Sequence, residues 1–312
     1  MSETKAILLC GSRIAIPVLR DLFFHGQLAV IAIPEHCKDF IQQVETLLKD
    51  TGAPVIIVNK TDFAEKLQEA IRKYNPTIGL MFTFSFKLPA IIYEMPAKGF
   101  YNLHPGPLPS YRGPDPIFQQ IKNKEPYAAV TIHKVDDNFD SGKIVLSDKI
   151  RLNANDTYGM LTTKLSELAT RLVGTLIKMA AFDIEIPSRP QDVSKAMYYP
   201  RQSAADISIN WQTMDAASIV ALINACNPWN KGAVTKLNNN IIRLLDAHTL
   251  ALSPQANSSP GTIISIDEAG LLVTTIENKV LCINLISSDE GFLLAGRLKD
   301  IGITAGNMFE NI

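Results

Sequence analysis

The chain has 312 residues, 46% of them hydrophobic and 20% charged, with 30 basic against 31 acidic side chains. That length suits one large domain or two ordinary ones; the composition excludes a disordered chain, and the near-zero net charge excludes a dedicated nucleic-acid binder. No stretch approaches the ~20 apolar residues of a membrane span. The apolar run near the N-terminus is interrupted early by charged residues and lacks a signal peptide's long apolar core and cleavage site, so a cytoplasmic location is expected. Cys10, Cys37, Cys226 and Cys282 are scattered without a C-x-x-C pair. Buried free thiols are therefore expected, with neither a disulfide framework nor a metal site.

In chain order, "KAILLCGS" is a continuous apolar run ending in glycine, the pattern of a buried parallel strand. "IAIPVLRDLFFHG" reads as a helix that stops at Gly26. "LAVIAIP" is a second buried strand, and "CKDFIQQVETLLKDTG" a helix closed by Gly52. "PVIIV", "DFAEKLQEAIRKYN", "TIGLMFTF" and "GFYNLH" continue the alternation. Strands and helices taking turns across short connections predict a doubly wound α/β sheet. "PIFQQIKNKE" then reads as a helix and "YAAVTIHKVDD" with "GKIVLSDKIRL" as a strand pair. "DTYGMLTTKLSELATRLVGTLIKMAAF" reads as one long helix with Asp156 and Thr157 as candidate caps.

Residues 184–205 carry prolines and no clean periodicity, and read as a linker between a domain at 1–183 and another at 206–312. Beyond it come a helix, "DAASIVALINAC", and short strands in "AVTKL", "IIRLLDAHTL", "GTIISID", "GLLVTTI" and "VLCINLI". Short strands at close spacing predict a small barrel or sandwich. "SPQANSSPG" reads as a surface loop.

Chemistry is expected where strands end, because ligands of doubly wound sheets sit at the carboxyl ends of the strands. "GFYNLH" delivers Asn102 and His104 two residues apart, and so on one face. Directly behind them runs "PGPLPSYRGPDP", too rich in proline for a helix or an inner strand. Such a loop holds the wall of a site at low entropic cost on binding. A second polar end, "KVDDNFDSG", offers Asp136, Asp137 and Asp140 beside Gly142. An amide, an imidazole and a carboxylate form a set for acyl transfer: Asn102 to donate to an oxyanion, His104 to donate or shuttle a proton, Asp140 to hold the charge. From spacing alone the alternatives stay open. An Asn-x-His pair at a strand end is structural as readily as catalytic, and His133 reads as structural. "DDNFD" lacks the glutamate of a calcium loop, and "LLCGS" lacks a dinucleotide fingerprint.

"YNLHPGPLPSYRG" followed by "VTIHKVDDNFDSG" resembles the formyltransferases that use 10-formyltetrahydrofolate. Their hallmark is N-x-H, a loop usually written S-L-L-P-x-x-R-G, and an aspartate 36 residues after the histidine in a D-x-G context. Asn102, His104 and Asp140 stand at those positions, as do Pro109, Arg112 and Gly113; Gly106 and Pro107 replace Ser and Leu. "LLCGSRIAIPVLRDL" resembles the family's opening strand, turn and helix. "ISINWQTMDAASIVALINACNPWNKGAVT" resembles the start of the C-terminal domain found in methionyl-tRNA formyltransferases and some amino-sugar formyltransferases.

The resemblance implies a Rossmann-like catalytic domain followed by an OB-like β-barrel. It also implies an amine attacking the formyl carbon of the folate, with Asn102 and His104 stabilising the oxyanion. Asp140 would raise the basicity of His104 and help accept the amine's proton. It places the pterin between Phe84, Phe86, Lys87 and Leu88 on one side and Asp136, Asp137, Asn138 and Phe139 on the other, near Gly106, Leu108 and Pro109. Gly11, Ser12 and Arg112 are implied on the acceptor side, Arg112 either anchoring an anion or tying down the loop.

Three acceptors are weighed: a small or carrier-linked amine such as a nucleotide-linked amino sugar, methionyl-tRNA, and water. Residues 206–312 hold six basic and ten acidic side chains against 24 and 21 in the rest of the chain. In methionyl-tRNA formyltransferases a basic, glycine-containing insertion typically follows the second strand. Here that place reads "AIPEHCKDFIQQVETL", with Lys38 its only Lys or Arg. Phosphate contacts need a basic surface, so an amine not carried on tRNA is the expectation. Asn102 argues against hydrolysis, because hydrolase members can lack that asparagine. The oligomeric state is not legible.

Overall fold

A computed structural model describes residues 4–251 and 258–312. Most of the "SPQANSSPG" loop lies outside the described residues. The chain divides into two compact units. The first runs through Pro116 and takes in Tyr127–Ile150 and Thr162–Tyr199; the second gathers Ile117–Pro126, Arg151–Leu161 and Pro200–Ile312.

The first unit is a seven-stranded sheet. Its strands are β1 (Ala6–Cys10), β2 (Leu28–Pro34), β3 (Val55–Val58), β4 (Ile78–Phe82), β5 (Phe100–His104), β6 (Tyr127–Lys134) and β7 (Ile144–Arg151). Their order is β3-β2-β1-β4-β5-β6-β7, parallel from β3 to β5 and antiparallel between β5 and β6. Every residue of β1 and β4 is buried, as continuous apolar runs demand in a sheet covered on both faces. The chain winds outward from β1 to β3, then returns to β4 on the other side of β1, which makes the β1/β4 boundary the switch point.

The helices in this unit are α1 (Ile16–Phe24), α2 (Lys38–Leu47), α3 (Phe63–Tyr74) and the one-turn α4 (Ala90–Tyr93). The long helix α6 (Tyr158–Ala181) is capped where "DT" predicts, the Met160 amide donating to Thr157 Oγ1 at 3.3 Å. All of the helix α5 (Pro116–Lys122) after Pro116, and the first residues of α6, fall in the second unit.

The second unit holds α7 (Ala216–Ala225), capped by Asp215, whose Oδ1 accepts from the Ser218 amide at 2.7 Å. Its strands are β8 (Ala233–Leu237), β9 (Asn240–Leu250), β10 (Ile263–Asp267), β11 (Gly270–Thr274), β12 (Val280–Ser288), β13 (Gly291–Leu294) and β14 (Phe309–Glu310). They pair in the order β10-β11-β12-β9-β8-β14, with β13 on β12. An antiparallel bridge from Thr262 to Met308 and a bond from the Phe309 amide to Gly261 O join the two ends, so the sheet curls back on itself. Trp211, fully buried, stacks on Phe309 with ring centroids 5.2 Å apart and donates its indole N–H to Thr235 Oγ1 at 2.9 Å. β13 and β14 were too short for any period to register in the sequence.

The stretch expected as a linker divides at Tyr199. Residues 184–199 contain little regular structure, yet Arg189 exchanges both backbone bonds with Ile144 at 2.8 and 2.9 Å. They are tied to the first unit by pairing that no periodicity announces. Among the described residues, no helix is long and apolar enough to cross a membrane.

Candidate active site

The cross-strand register of β5 and β6 builds the site. Asn102 pairs with His133 and His104 with Thr131, so one face of this strand pair carries two residues from each strand. His104 is 3% exposed and His133 is 2% exposed. A carbonyl only accepts, so the ring nitrogen that faces one is the donor. His133 Nδ1 donates to Lys134 O at 2.8 Å, which leaves Nε2 to accept from Asn102 Nδ2 at 3.0 Å. His104 Nε2 donates to Tyr111 O at 2.6 Å.

Asp140 completes the set from the loop after β6. Its Oδ1 lies 3.4 Å from His104 Nδ1 and 3.7 Å from His133 Nε2, and accepts from Asn102 Nδ2 at 3.3 Å. Its Oδ2 accepts from the Gly113 amide at 2.9 Å. Burial opposes charge on this group, but the His104 imidazole above all, with the Gly113 amide, holds the Asp140 carboxyl well below the usual carboxylate range.

The proline loop is held on three sides. Thr131 Oγ1 donates to Gly106 O at 2.8 Å and accepts from the Leu108 amide at 3.3 Å. Residues 197–199 run beside it: Met197 N donates to Pro109 O, Arg112 N to Met197 O and Tyr199 N to Arg112 O, while Tyr199 stacks on Tyr111. Gly113 has φ +117°, and a Cβ there would sit 2.0 Å from Tyr199 O. Only glycine fits. Gly142 is tight for the other reason, close approach: a Cβ would lie 1.8 Å from Lys134 O.

A part-buried amide, the imidazoles of His104 and His133 and an ionised carboxylate converge on one strand end, behind a rigid loop. Such an arrangement can stabilise negative charge that develops on an oxygen.

Two family models match the chain, one described as formyl transferase over residues 35–177 and one described as formyl transferase, C-terminal domain, over residues 202–296. A methionyl-tRNA formyltransferase of Kosmotoga olearia is 30% identical over 230 residues, which cover 74% of this chain and 72% of that protein. The chain belongs to the formyl transferase family.

Solved structures share the formyltransferase fold. WlaRD, a sugar 3N-formyl transferase solved in the presence of dTDP and 5-N-formyl-THF, aligns with a TM-score of 0.68 at 15% identity over 91% of this chain and 98% of its own. An N-formyltransferase from Helicobacter canadensis, in complex with folinic acid and dTDP-3-aminofucose, aligns at 0.62 and 16% identity over 90% and 98%.

In this formyltransferase the residues expected around a pterin separate into two groups. Phe84 and Leu88 face inward and belong to the core of the first unit with Ile92, Met81 and Phe100. Phe86 is half-buried against Phe63, Phe84 and His36, and Lys87 is exposed. Across from them, Asp136 Oδ1 accepts from the Asn138 amide and Ser141 Oγ, so this carboxylate shapes its own turn. Asp137 accepts from Tyr93 Oη at 3.0 Å, and Phe139 is 55% exposed. Gly106 packs against His104, and Leu108 and Pro109 lie in the loop above it.

Gly11 and Ser12 lie at the switch point, Ser12 Oγ 2.9 Å from Thr83 Oγ1. They line a cavity of about 400 Å³ with Arg13, His36, Cys37, Lys38, Asp39 and Phe40. Arg112 donates through Nε and Nη2 to Gln191 Oε1 at 3.2 and 2.7 Å, an anchor for the loop. Sequence reasoning passed over Thr131 and read His133 as structural. The two are the polar residues among the six buried positions of β6, and they share one parity. Among the described residues, no group of three or more His, Cys, Asp or Glu side chains is arranged to hold a metal.

Proposed function

We propose that this formyltransferase moves the formyl group of 10-formyltetrahydrofolate to a primary amine on a small or carrier-linked acceptor, of the nucleotide-linked amino-sugar kind. The convergence of Asn102, His104 and Asp140 on one strand end carries the reading. The amine nitrogen attacks the formyl carbon and the carbonyl π pair moves onto oxygen. The proton of the new ammonium passes to the folate N10, the C–N10 bond breaks, and tetrahydrofolate leaves with the formamide formed.

The distances sort the protein's groups by task. The bonds at 2.6 Å to Tyr111 O and 2.8 Å to Lys134 O fix the two rings. The longer contacts to Asp140 Oδ1, 3.3 Å from Asn102 and 3.4 Å from His104, are the ones an oxyanion replaces at least cost. Asn102 Nδ2 and His104 are therefore the oxyanion donors. Asp140, held far below the usual carboxylate range, is a weak base, so its role is to hold charge opposite His104 while the imidazole serves the proton.

The acceptor reading rests on the protein's electrostatics. Between β2 and α2 stand only Glu35, His36 and Cys37, with no room for a basic insertion. Of the six basic side chains in residues 206–312, Lys279 is paired with Glu277 and Arg297 with Asp300. A phosphate backbone needs the opposite surface. The cavity beside Ser12 instead offers Arg13, Lys38 and His36 near one small ligand, which suits the anionic group of a nucleotide-linked amine. The folate and dTDP-sugar ligands of the neighbouring structures agree with this reading. A second reading, methionyl-tRNA, is favoured by the identity of the sequence relative.

The test is tetrahydrofolate release from 10-formyltetrahydrofolate with dTDP-3-aminofucose, with charged initiator tRNA over a salt series, and with no acceptor. Release that depends on the amino sugar is expected. Fast, strongly salt-sensitive transfer to tRNA would overturn the acceptor; equal release without any amine would make the enzyme a hydrolase.

A further inference from the structure

The segment 184–199 has almost no regular structure and is mostly exposed, yet one of its side chains turns inward. Gln191 Nε2 donates to Asp140 O and to Gly142 O, both at 2.8 Å, and its Oε1 accepts both bonds from Arg112. Both amide protons and both carbonyl lone pairs are used. One side chain thus joins the two loops that carry the reacting set: the proline loop through Arg112 and the aspartate loop through two of its backbone carbonyls.

What Gln191 holds is not relaxed backbone. Asp140 has φ +54°, the left-handed region that few side chains adopt and that aspartate enters more readily than most, still at a cost relative to extended backbone. If that peptide relaxed, the Cα–Cβ vector of Asp140 would swing and the carboxylate would leave His104 Nδ1 and the Gly113 amide. Two forces oppose relaxation: the Gly113 amide on the carboxylate and Gln191 on the carbonyl. Gln191 is itself pinned on both flanks. Arg189 exchanges backbone bonds with Ile144, two residues past Gly142, and residues 197–199 pair with the proline loop. A glutamine held at both ends and saturated in the middle is a brace, not a surface residue.

We propose that Gln191 is a positioning residue for formyl transfer: it holds Asp140 in its strained conformation and so aims the carboxylate at His104. This rests on the reading that Asn102, His104 and Asp140 carry the reaction, and it explains why a segment without periodicity lies against the catalytic unit.

Gln191→Glu is the informative variant. It keeps acceptors for Arg112 and puts an oxygen where two carbonyls require a donor. Two measurements test it. The first is amide exchange by NMR in the protein alone. The Gly113 amide, bonded to Asp140 Oδ2, should lose protection at least tenfold, while the amides of β1 keep theirs. The second is turnover of 10-formyltetrahydrofolate with dTDP-3-aminofucose. The variant should lose about tenfold or more in kcat with less than a twofold change in folate KM, and Gln191→Glu should add nothing in an Asp140→Asn background.

Unchanged Gly113 protection overturns the proposal, as does a rate loss that multiplies with that of Asp140→Asn, the mark of a merely structural role. If the wild type transfers no formyl group, the functional reading fails, and the exchange result decides the positioning role by itself. Gln191→Met, uncharged and of similar length, takes the place of the glutamate variant if the latter does not fold, with the same outcomes.

Discussion

Asp140 is where the residue-scale physics concentrates. It is a nearly buried carboxylate, 11% exposed, in left-handed backbone, that faces two imidazoles and accepts an amide N–H. Its folded-state pKa is depressed, so the sign follows directly. The stabilisation it confers is fully present above the unfolded value near ~3.9 and is lost as pH falls below it. The gap in unfolding midpoint between the wild type and Asp140→Asn should therefore be widest at pH 6 and shrink by pH 3.5. A gap that does not change with pH would sink the ion pair. In catalysis the same depression means that no acid limb between pH 5 and 8 belongs to Asp140. Asp140→Asn should be slower by about 10²-fold or more at every pH in that range, because the loss is one of charge placement rather than titration. A variant that is slow only at low pH would contradict this. That Asn102 and His104 share a face was legible from strand parity, and Asp140 was one of three aspartates in the turn before Gly142. The place of His133 was not legible, because what makes it part of the site is its register partner on another strand.

At the scale of elements, the proline loop and residues 197–199 form one unit of local structure. Gly113 is its hinge pin: positive φ and a carbonyl where a Cβ would go. Gly113→Ala should destabilise the first unit by roughly 1–3 kcal/mol and slow turnover together, since the same amide holds Asp140 Oδ2. Denaturation and steady-state kinetics on the one variant check both, and a stable, fully active protein would refute the role given to this contact. The buried parallel strands were readable because both of their faces are covered, so their apolar runs are continuous. Residues 184–199 were unreadable for the converse reason. Their order comes from backbone pairing and from single side chains such as Gln191, which leave no period in the sequence.

For the whole molecule, two compact units carry different burdens. The first holds Asn102, His104 and Asp140, the groups proposed to react. The second is a curled antiparallel sheet closed from Thr262 to Met308 around Trp211 and Phe309. Trp211 fills that core and satisfies Thr235, so Trp211→Ala should cost about 3–5 kcal/mol, read as a lower-temperature unfolding step. The turnover carried by the first unit should persist through that step. Loss of both functions in a single transition would show that the units unfold as one. The acidic balance of residues 206–312 acts at this scale too, because a field over a surface depends on the sum of charges and not on any one of them.

The sequence by itself determined the alternating α/β architecture and the small β domain after it, both local patterns of period and turn residue. It offered Asn102 and His104 as candidates by parity, and the family resemblance added the spacing that singles out Asp140. Only the tertiary structure decided that His133 and Thr131 share their face, that Phe84 and Leu88 turn into the core, and that Gln191 braces the aspartate loop. Those facts depend on register and on which of two faces is buried, and both are settled by strands and segments far apart in the chain.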